Sequence, residues 1–338
     1  MKAAVLEELK KPLQIRDMDV PEVSGSEVLI RQNVTGICFR DILTVEGFFP
    51  RVSLPMVLGH EISGTIEKVG PGVKGFKIGD RVASLIYTPC GKCEFCLRGD
   101  ENLCPDKKTF GETINGGYAR YVAASASSLV RVPDNVSDAD ASISACVTGM
   151  VYNAIKRVGG IEEGQKILIT GAGGGVGSHA VQIARALGAY VIAKTSSPWK
   201  TEKLYSLGAD MVVSSDSFDR EIKEKLGEGV HLVLESVGLP TFERAFRSLR
   251  PSGKLVVIGN VDPTPVNLPL GLLILKGNTV SGSISSTRED MKKALELTAQ
   301  GRIRAIVHKT IHLEDVNSAH SEMKNRMSMG RIMIDVQK

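Results

Sequence analysis

The stretch Lys166–Gly188, KILITGAGGGVGSHAVQIARALG, constrains this chain more than any other. Lys166–Thr170 is short, apolar and rich in branched side chains, as a buried strand is. Glycines crowd 171–177, and Ser178–Leu187 then carries apolar residues at helical spacing. Strand, glycine turn and helix in that order predict a dinucleotide site. Glycines let backbone N–H groups approach a pyrophosphate, and the free amides and positive dipole end of the helix hold its charge. The usual G-x-G-x-x-G spacing is not met; Gly171-x-x-Gly174-x-x-Gly177 is, with Gly175 and Val176 inside the turn. An ordinary glycine-rich link between strand and helix is the rival reading.

A second strand, predicted at Tyr190–Ala193, ends about 20 residues beyond the glycines, where such folds place the group that reads the adenosine ribose. In an NAD enzyme that group is an acid. Here the stretch is Lys194-Thr195-Ser196-Ser197-Pro198-Trp199-Lys200, with hydroxyls and two ammonium groups and no carboxylate. Such a set suits a phosphate dianion, so NADP(H) is the expected cofactor, with a solvated polar loop as the alternative.

Cys90, Cys93, Cys96 and Cys104 form a C-x2-C-x2-C-x7-C array. Four thiolates on one loop can close a tetrahedral shell around zinc, leaving no open position for substrate; an iron–sulfur cluster is the rival. The same spacing in a secreted chain would read as disulfides. Met1–Leu6 lacks the character of a signal peptide, and Val266–Leu275 is too short and proline-broken to cross a bilayer, so a cytoplasmic protein is expected, with no membrane partner. A net charge of +4 without a basic tract does not suggest nucleic acid and leaves a small anionic ligand possible.

At 338 residues the chain has room for two cores. Residues 1–35 alternate as half-buried strands do, and glycines at 64, 70, 72, 75 and 79 suit a small β-barrel with tight turns. Strands are predicted at Lys166–Thr170, Tyr190–Ala193, Met211–Val213, Leu232–Glu235, Lys254–Ile258 and Thr279–Ser283, with helices between them. That pattern gives a doubly wound parallel sheet. Residues 286–338 are expected to return to the first domain. Gly238 and Gly259-Asn260 follow strand ends at the carboxyl edge, where such folds keep their crevice, although plain turns would look the same.

GIC at 36–38, GHE at 59–61, the four-cysteine loop, Cys146 in ACVTGM and the glycine turn, in that order, resemble the zinc-containing medium-chain dehydrogenase/reductase (alcohol dehydrogenase-like) superfamily over essentially the whole chain. The resemblance implies a GroES-like β-barrel catalytic domain, 1–145 with 286–338 returning to it, and a Rossmann NADP(H)-binding domain, 146–285. It implies a catalytic zinc on Cys38, His60 and Cys146, with Glu61 as an exchangeable fourth ligand, Asp41 orienting His60, and a structural zinc on the cysteine loop. It further implies Thr195, Ser196 and Lys200 at the 2′-phosphate, Arg331 near the pyrophosphate, Gly238, Gly259 and Asn260 beside the nicotinamide, and a homodimer or homotetramer.

One departure bears on the reaction. Where alcohol dehydrogenases of this superfamily have Ser or Thr two residues after the first zinc cysteine, and often a histidine three further on, this chain has Arg40 and Leu43. Neither can accept a proton, so the relay that deprotonates an alcohol is missing. CFRD, ACVTGM, GGVG at 174–177 and IGNVDP at 258–263 look closest, within the superfamily, to archaeal acryloyl-coenzyme A reductases. That likeness implies a small-molecule substrate, a coenzyme A thioester, with Arg40 in the catalytic region. An alcohol or aldehyde enzyme and a zinc-stabilised NADPH-binding protein without turnover are the alternatives.

Overall fold

The apolar runs in the second half of the chain become strands of one sheet: Lys166–Ile169 (β1), Tyr190–Lys194 (β2), Met211–Val213 (β3), Val230–Glu235 (β4), Leu249–Val257 (β5) and Thr279–Gly282 (β6). The computed structural model describes residues 1–261 and 264–337; Asp262 and Pro263, the end of the IGNVDP stretch, lie outside the described residues. All neighbouring strands in this sheet run parallel, in the order β3-β2-β1-β4-β5-β6. The chain therefore reverses its winding beside β1, between β1 and β4, and such a switch point leaves a crevice at the carboxyl ends of the strands.

Both faces of the sheet are covered, so the strands read as nearly unbroken apolar runs rather than alternating ones. Ile167, Leu168 and Ile169 of β1 are fully buried. Leu168, Ile192, Val233 and Leu255 pack with Phe218, Phe242 and Phe246 in one core. Each such side chain contributes about 1.5–3 kcal/mol by leaving water. The helix after β1 spans Gly177–Ala186, close to the expected Ser178–Leu187.

The chain divides into two compact units, Met150–Ile284, which holds this sheet, and Met1–Gly149 with Ser285–Lys338. The second of these is built on antiparallel pairings. Tyr121–Ser125, Glu27–Arg31, Ser63–Val69, Arg81–Ser84 and Leu129–Arg131 lie side by side in that order. Val28, Ile30, Ile62, Ile66, Val82 and Val122 fill the space they enclose. The C-terminal segment adds Val307–His312 and Arg331–Asp335, and the latter pairs antiparallel with Val34–Gly36, Met333 opposite Gly36. This pairing sets Arg331 near the strand that leads into Cys38. Among the described residues no helix is long and apolar enough to cross a membrane.

Candidate functional site

Four side chains from three places in the sequence converge inside the antiparallel unit. Cys38 ends the turn after Val34–Gly36 and caps the helix Phe39–Val45. His60 and Glu61 precede the strand Ser63–Val69, and Cys146 lies in the π-helical segment Ser144–Gly149. Their ligand atoms all lie within 4.8 Å of one another. Cys38 Sγ and Cys146 Sγ are 3.8 Å apart, close to the edge of about 3.8 Å that two thiolates span on a tetrahedral zinc; His60 Nε2 is 3.2 Å from Cys146 Sγ.

The surroundings fix each group. His60 Nδ1 lies 3.0 Å from Asp41 Oδ1, which leaves Nε2 turned toward the cysteines. Asp41 Oδ2 accepts from the Cys38 backbone N–H at 3.0 Å and from the Tyr118 hydroxyl at 2.8 Å. Burial works against the Asp41 carboxylate, yet the His60 charge and these hydrogen bonds hold it below the usual carboxylate range. Burial likewise opposes an imidazolium at His60, and Asp41 overrides it, raising His60 to about 9. The hydrogen bond from Cys146 draws the Cys38 thiol down, and the same contact, with burial, pushes Cys146 up. Two thiols thus share a site that favours one anion, and a cation would favour both.

Glu61 is fully buried. Oε1 is paired with the Arg331 guanidinium and its backbone carbonyl accepts from Thr35 Oγ1 at 2.8 Å, while Oε2 has no partner. A buried carboxylate oxygen left without a donor costs free energy, and a cation among the four groups would satisfy it. A Cβ on Gly36 would overlap that same oxygen, so only glycine fits there. Arg331, expected beside the pyrophosphate, is placed here as a buried partner of Glu61.

Arg40, two residues after Cys38, points into a different network. Its guanidinium pairs with Glu112 and lies 4.6 Å from the centre of the Phe49 ring. Leu43 stands one turn further along the same helix.

Cys90, Cys93, Cys96 and Cys104 also bring their sulfurs within 4.8 Å of one another. Cys93 and Cys96 are 3.5 Å apart, and the Cys90 N–H donates to Cys104 Sγ at 3.4 Å. Backbone N–H groups of Lys92 and Cys93 lower Cys90 to about 6, whereas burial raises Cys96 to about 12. Cys90 is thus drawn toward the thiolate, whereas Cys96 and Cys104, both raised by burial, would be favoured as thiolates by a cation. This cluster fits a structural zinc.

In the other unit the glycine turn runs from β1 into the helix Gly177–Ala186. Gly174 N–H donates to the Gly171 carbonyl at 2.9 Å, Val176 caps the helix, and the Gly175 carbonyl lies 2.7 Å from His179 Nδ1. A Cβ on Gly177 would overlap the Gly171 carbonyl oxygen, which is why helix and strand can meet so closely. Lys200 is buried and donates to the Gly173 carbonyl at 3.1 Å, with burial lowering its pKa. Thr195 is buried and accepts from the Ser197 N–H at 3.1 Å; Ser196 is exposed. The Asn260 side chain covers Gly238, and Gly259 approaches Ser236, so these three sit together after β4 and β5.

Sequence reasoning missed Glu235, at the end of β4. Its Oε1 accepts from Thr170 Oγ1, Val237 N, Gly238 N and Thr241 Oγ1 at 2.8–3.0 Å, tying the ends of β1 and β4 across the switch point. It also missed Tyr118 and Glu112, whose partners lie about seventy residues away in sequence.

Known proteins share this arrangement. The family model described as "Alcohol dehydrogenase GroES-like domain" matches residues 24–134, and "Zinc-binding dehydrogenase" matches 175–300. An acryloyl-coenzyme A reductase of Sulfurisphaera tokodaii is 41% identical over 99% of both chains. An alcohol dehydrogenase of Geobacillus stearothermophilus is 39% identical over 99% of this chain and all of its own. A cobalt- and zinc-bound thermostable alcohol dehydrogenase from Pyrobaculum aerophilum superposes with a TM-score of 0.89 at 29% identity, covering 99% of each chain. Sequence, fold and cysteine geometry agree: the chain belongs to the zinc-containing medium-chain dehydrogenase/reductase superfamily, as an alcohol dehydrogenase-like oxidoreductase with a GroES-like part and a Rossmann sheet.

Proposed function

We propose that this oxidoreductase uses NADPH and a catalytic zinc to reduce the C=C bond of an α,β-unsaturated acyl-coenzyme A thioester such as acryloyl-CoA. The observation that carries this reading is the state of Arg40. Its guanidinium is committed to Glu112 and Phe49, and Leu43 follows it, so no side chain at those positions can take a hydroxyl proton. An enoyl thioester needs none there: hydride adds to the β-carbon, the electron pair moves onto the carbonyl oxygen, and a proton ends on the α-carbon.

Cys38, His60 and Cys146 would hold the catalytic metal, with Glu61 as exchangeable ligand, and the metal would supply polarisation of the substrate carbonyl. Asp41 and Tyr118 keep the His60 ring oriented, and Arg331 and Thr35 keep Glu61 in place. The glycine turn, Gly171 to Gly177, would take the pyrophosphate on its free amides. Thr195, Ser196 and Lys200 would receive the 2′-phosphate, and Gly238, Gly259 and Asn260 would line the nicotinamide side. The antiparallel unit would be the catalytic domain. β6, at the edge of its sheet, offers free backbone groups for pairing with a second copy, supporting a homodimer or homotetramer. A cytoplasmic location fits this chemistry.

The relatives named acryloyl-coenzyme A reductase, at 41% and 40% identity, support this reading; those named alcohol dehydrogenase, at 39% and below, favour an alcohol or aldehyde substrate instead. Rates measured on one preparation separate the two. NADPH-dependent reduction of acryloyl-CoA should far exceed NADP-dependent oxidation of short primary and secondary alcohols. The opposite ratio would establish the alcohol enzyme, and NADPH binding with neither turnover a binding protein.

A further inference from the structure

Beside the Cys38 helix, two guanidiniums converge on one buried carboxylate. The Glu112 side chain is 5% exposed; one oxygen meets Arg40 and the other Arg51 Nε at 3.0 Å. A single carboxylate offsets one of these charges and leaves the other. Lys107 brings a third cation nearby: the Glu112 N–H donates to the carbonyl of Thr109, two residues after Lys107, at 3.2 Å. Its ammonium donates to the Asn102 carbonyl at 2.6 Å and stands 5.6 Å from the Tyr87 ring centre, and burial, with both guanidiniums adding to it, holds its pKa below the usual value.

Surplus positive charge in a partly buried position is costly unless an anion completes it. The surplus here is open to a ligand, because the Arg51 side chain is 53% exposed and Arg40 21%. An apolar wall adjoins it: Phe49 lies against Arg40, and Phe48, half-exposed, meets Phe49 edge-on at 5.2 Å. The cluster also lies close to the metal-ligand set, since Arg40 stands two residues after Cys38 on the helix that Cys38 caps.

We propose that Arg40 and Arg51, gathered on Glu112, together with the nearby Lys107, form an oxyanion-binding site for the charged end of the substrate: the phosphates of a coenzyme carrier or a carboxylate on the acyl chain. Planar guanidinium forks suit both groups, and Glu112 holds them in place while giving up only part of their charge. The identity of the ligand rests on the thioester-reductase reading; the existence of the site does not.

Calorimetry on zinc-loaded protein, with NADP saturating so that the dinucleotide turn is filled, tests the site without turnover. The probes are coenzyme A, for the phosphates, and succinyl-N-acetylcysteamine, for the carboxylate. Arg51→Ala and Lys107→Ala should each weaken one of the two by about tenfold, whereas Arg51→Lys retains most of the affinity and Lys74→Ala, a charge control on the far-exposed surface, changes neither. The probe that responds identifies the source. If both variants bind both probes as the parent does, the proposal is overturned. Charge-dependent binding in a protein that reduces no thioester would uphold the site and remove the reductase reading; thioester reduction with charge-independent binding would do the reverse.

Discussion

Cys38 and Cys93 belong to different sulfur clusters, and that separation makes the metal content divisible. Protein prepared with zinc should carry about two ions per chain by elemental analysis. Cys38→Ser should lose one and abolish turnover if, as proposed, its site holds the catalytic metal. Cys93→Ser should lose the other and lower thermal stability, because a closed site stabilises its loop. A preparation whose single zinc survives Cys38→Ser would show that the first set stays empty. Gly36→Ala is the sharper probe of packing. Its methyl group would displace Glu61 from Arg331, a local overpacking of about 1–3 kcal/mol, and zinc at Cys38 should weaken while the Cys93 cluster keeps its ion. The cysteines and GHE were legible in the sequence because metal ligation restricts residue type and spacing. Tyr118, Glu112 and the Arg331–Glu61 pair were not, since a tyrosine or a glutamate is ordinary until the fold brings its partner near.

The glycine turn and the strand ends around it would carry the cofactor, and the strands themselves were legible as branched apolar runs bounded by glycine. The helix near Cys146 was less so. The structure divides this stretch into the helix Asp138–Ser142 and the π-turns Ser144–Gly149, with Ser286 Oγ donating to the Ala145 carbonyl at 2.9 Å. Side-chain periodicity does not register one extra residue per turn. If Lys200 meets a 2′-phosphate, Lys200→Ala should weaken NADPH by roughly tenfold to a hundredfold and NADH little, measured by fluorescence titration. Equal losses would assign Lys200 to the turn itself, where it already bonds Gly173. Glu235 gives a pH signature. Burial raises its pKa despite four donors on Oε1. A carboxyl with a raised folded pKa stabilises the fold below its ordinary value, and that contribution is lost as pH rises through the raised one. Glu235→Gln, which keeps the acceptor, should therefore melt like the parent near pH 4 and a few degrees higher near pH 8; a lower melting point at both would show that the charged form is the stable one.

For the whole molecule, the doubly wound sheet and the antiparallel unit were both readable from the order of periodic segments. The reaction was less readable, because Arg40 and Leu43 say what is missing and not what replaces it. The direct test follows the hydride. Acryloyl-CoA is incubated with zinc-loaded protein and NADPH carrying two deuterons at C4, and the product is analysed by mass spectrometry and NMR. The expected product is propionyl-CoA with one deuterium on its β-carbon, formed at a rate well above that of alcohol oxidation. Recovery of unlabelled acryloyl-CoA, from a preparation that oxidises alcohols efficiently, would contradict it.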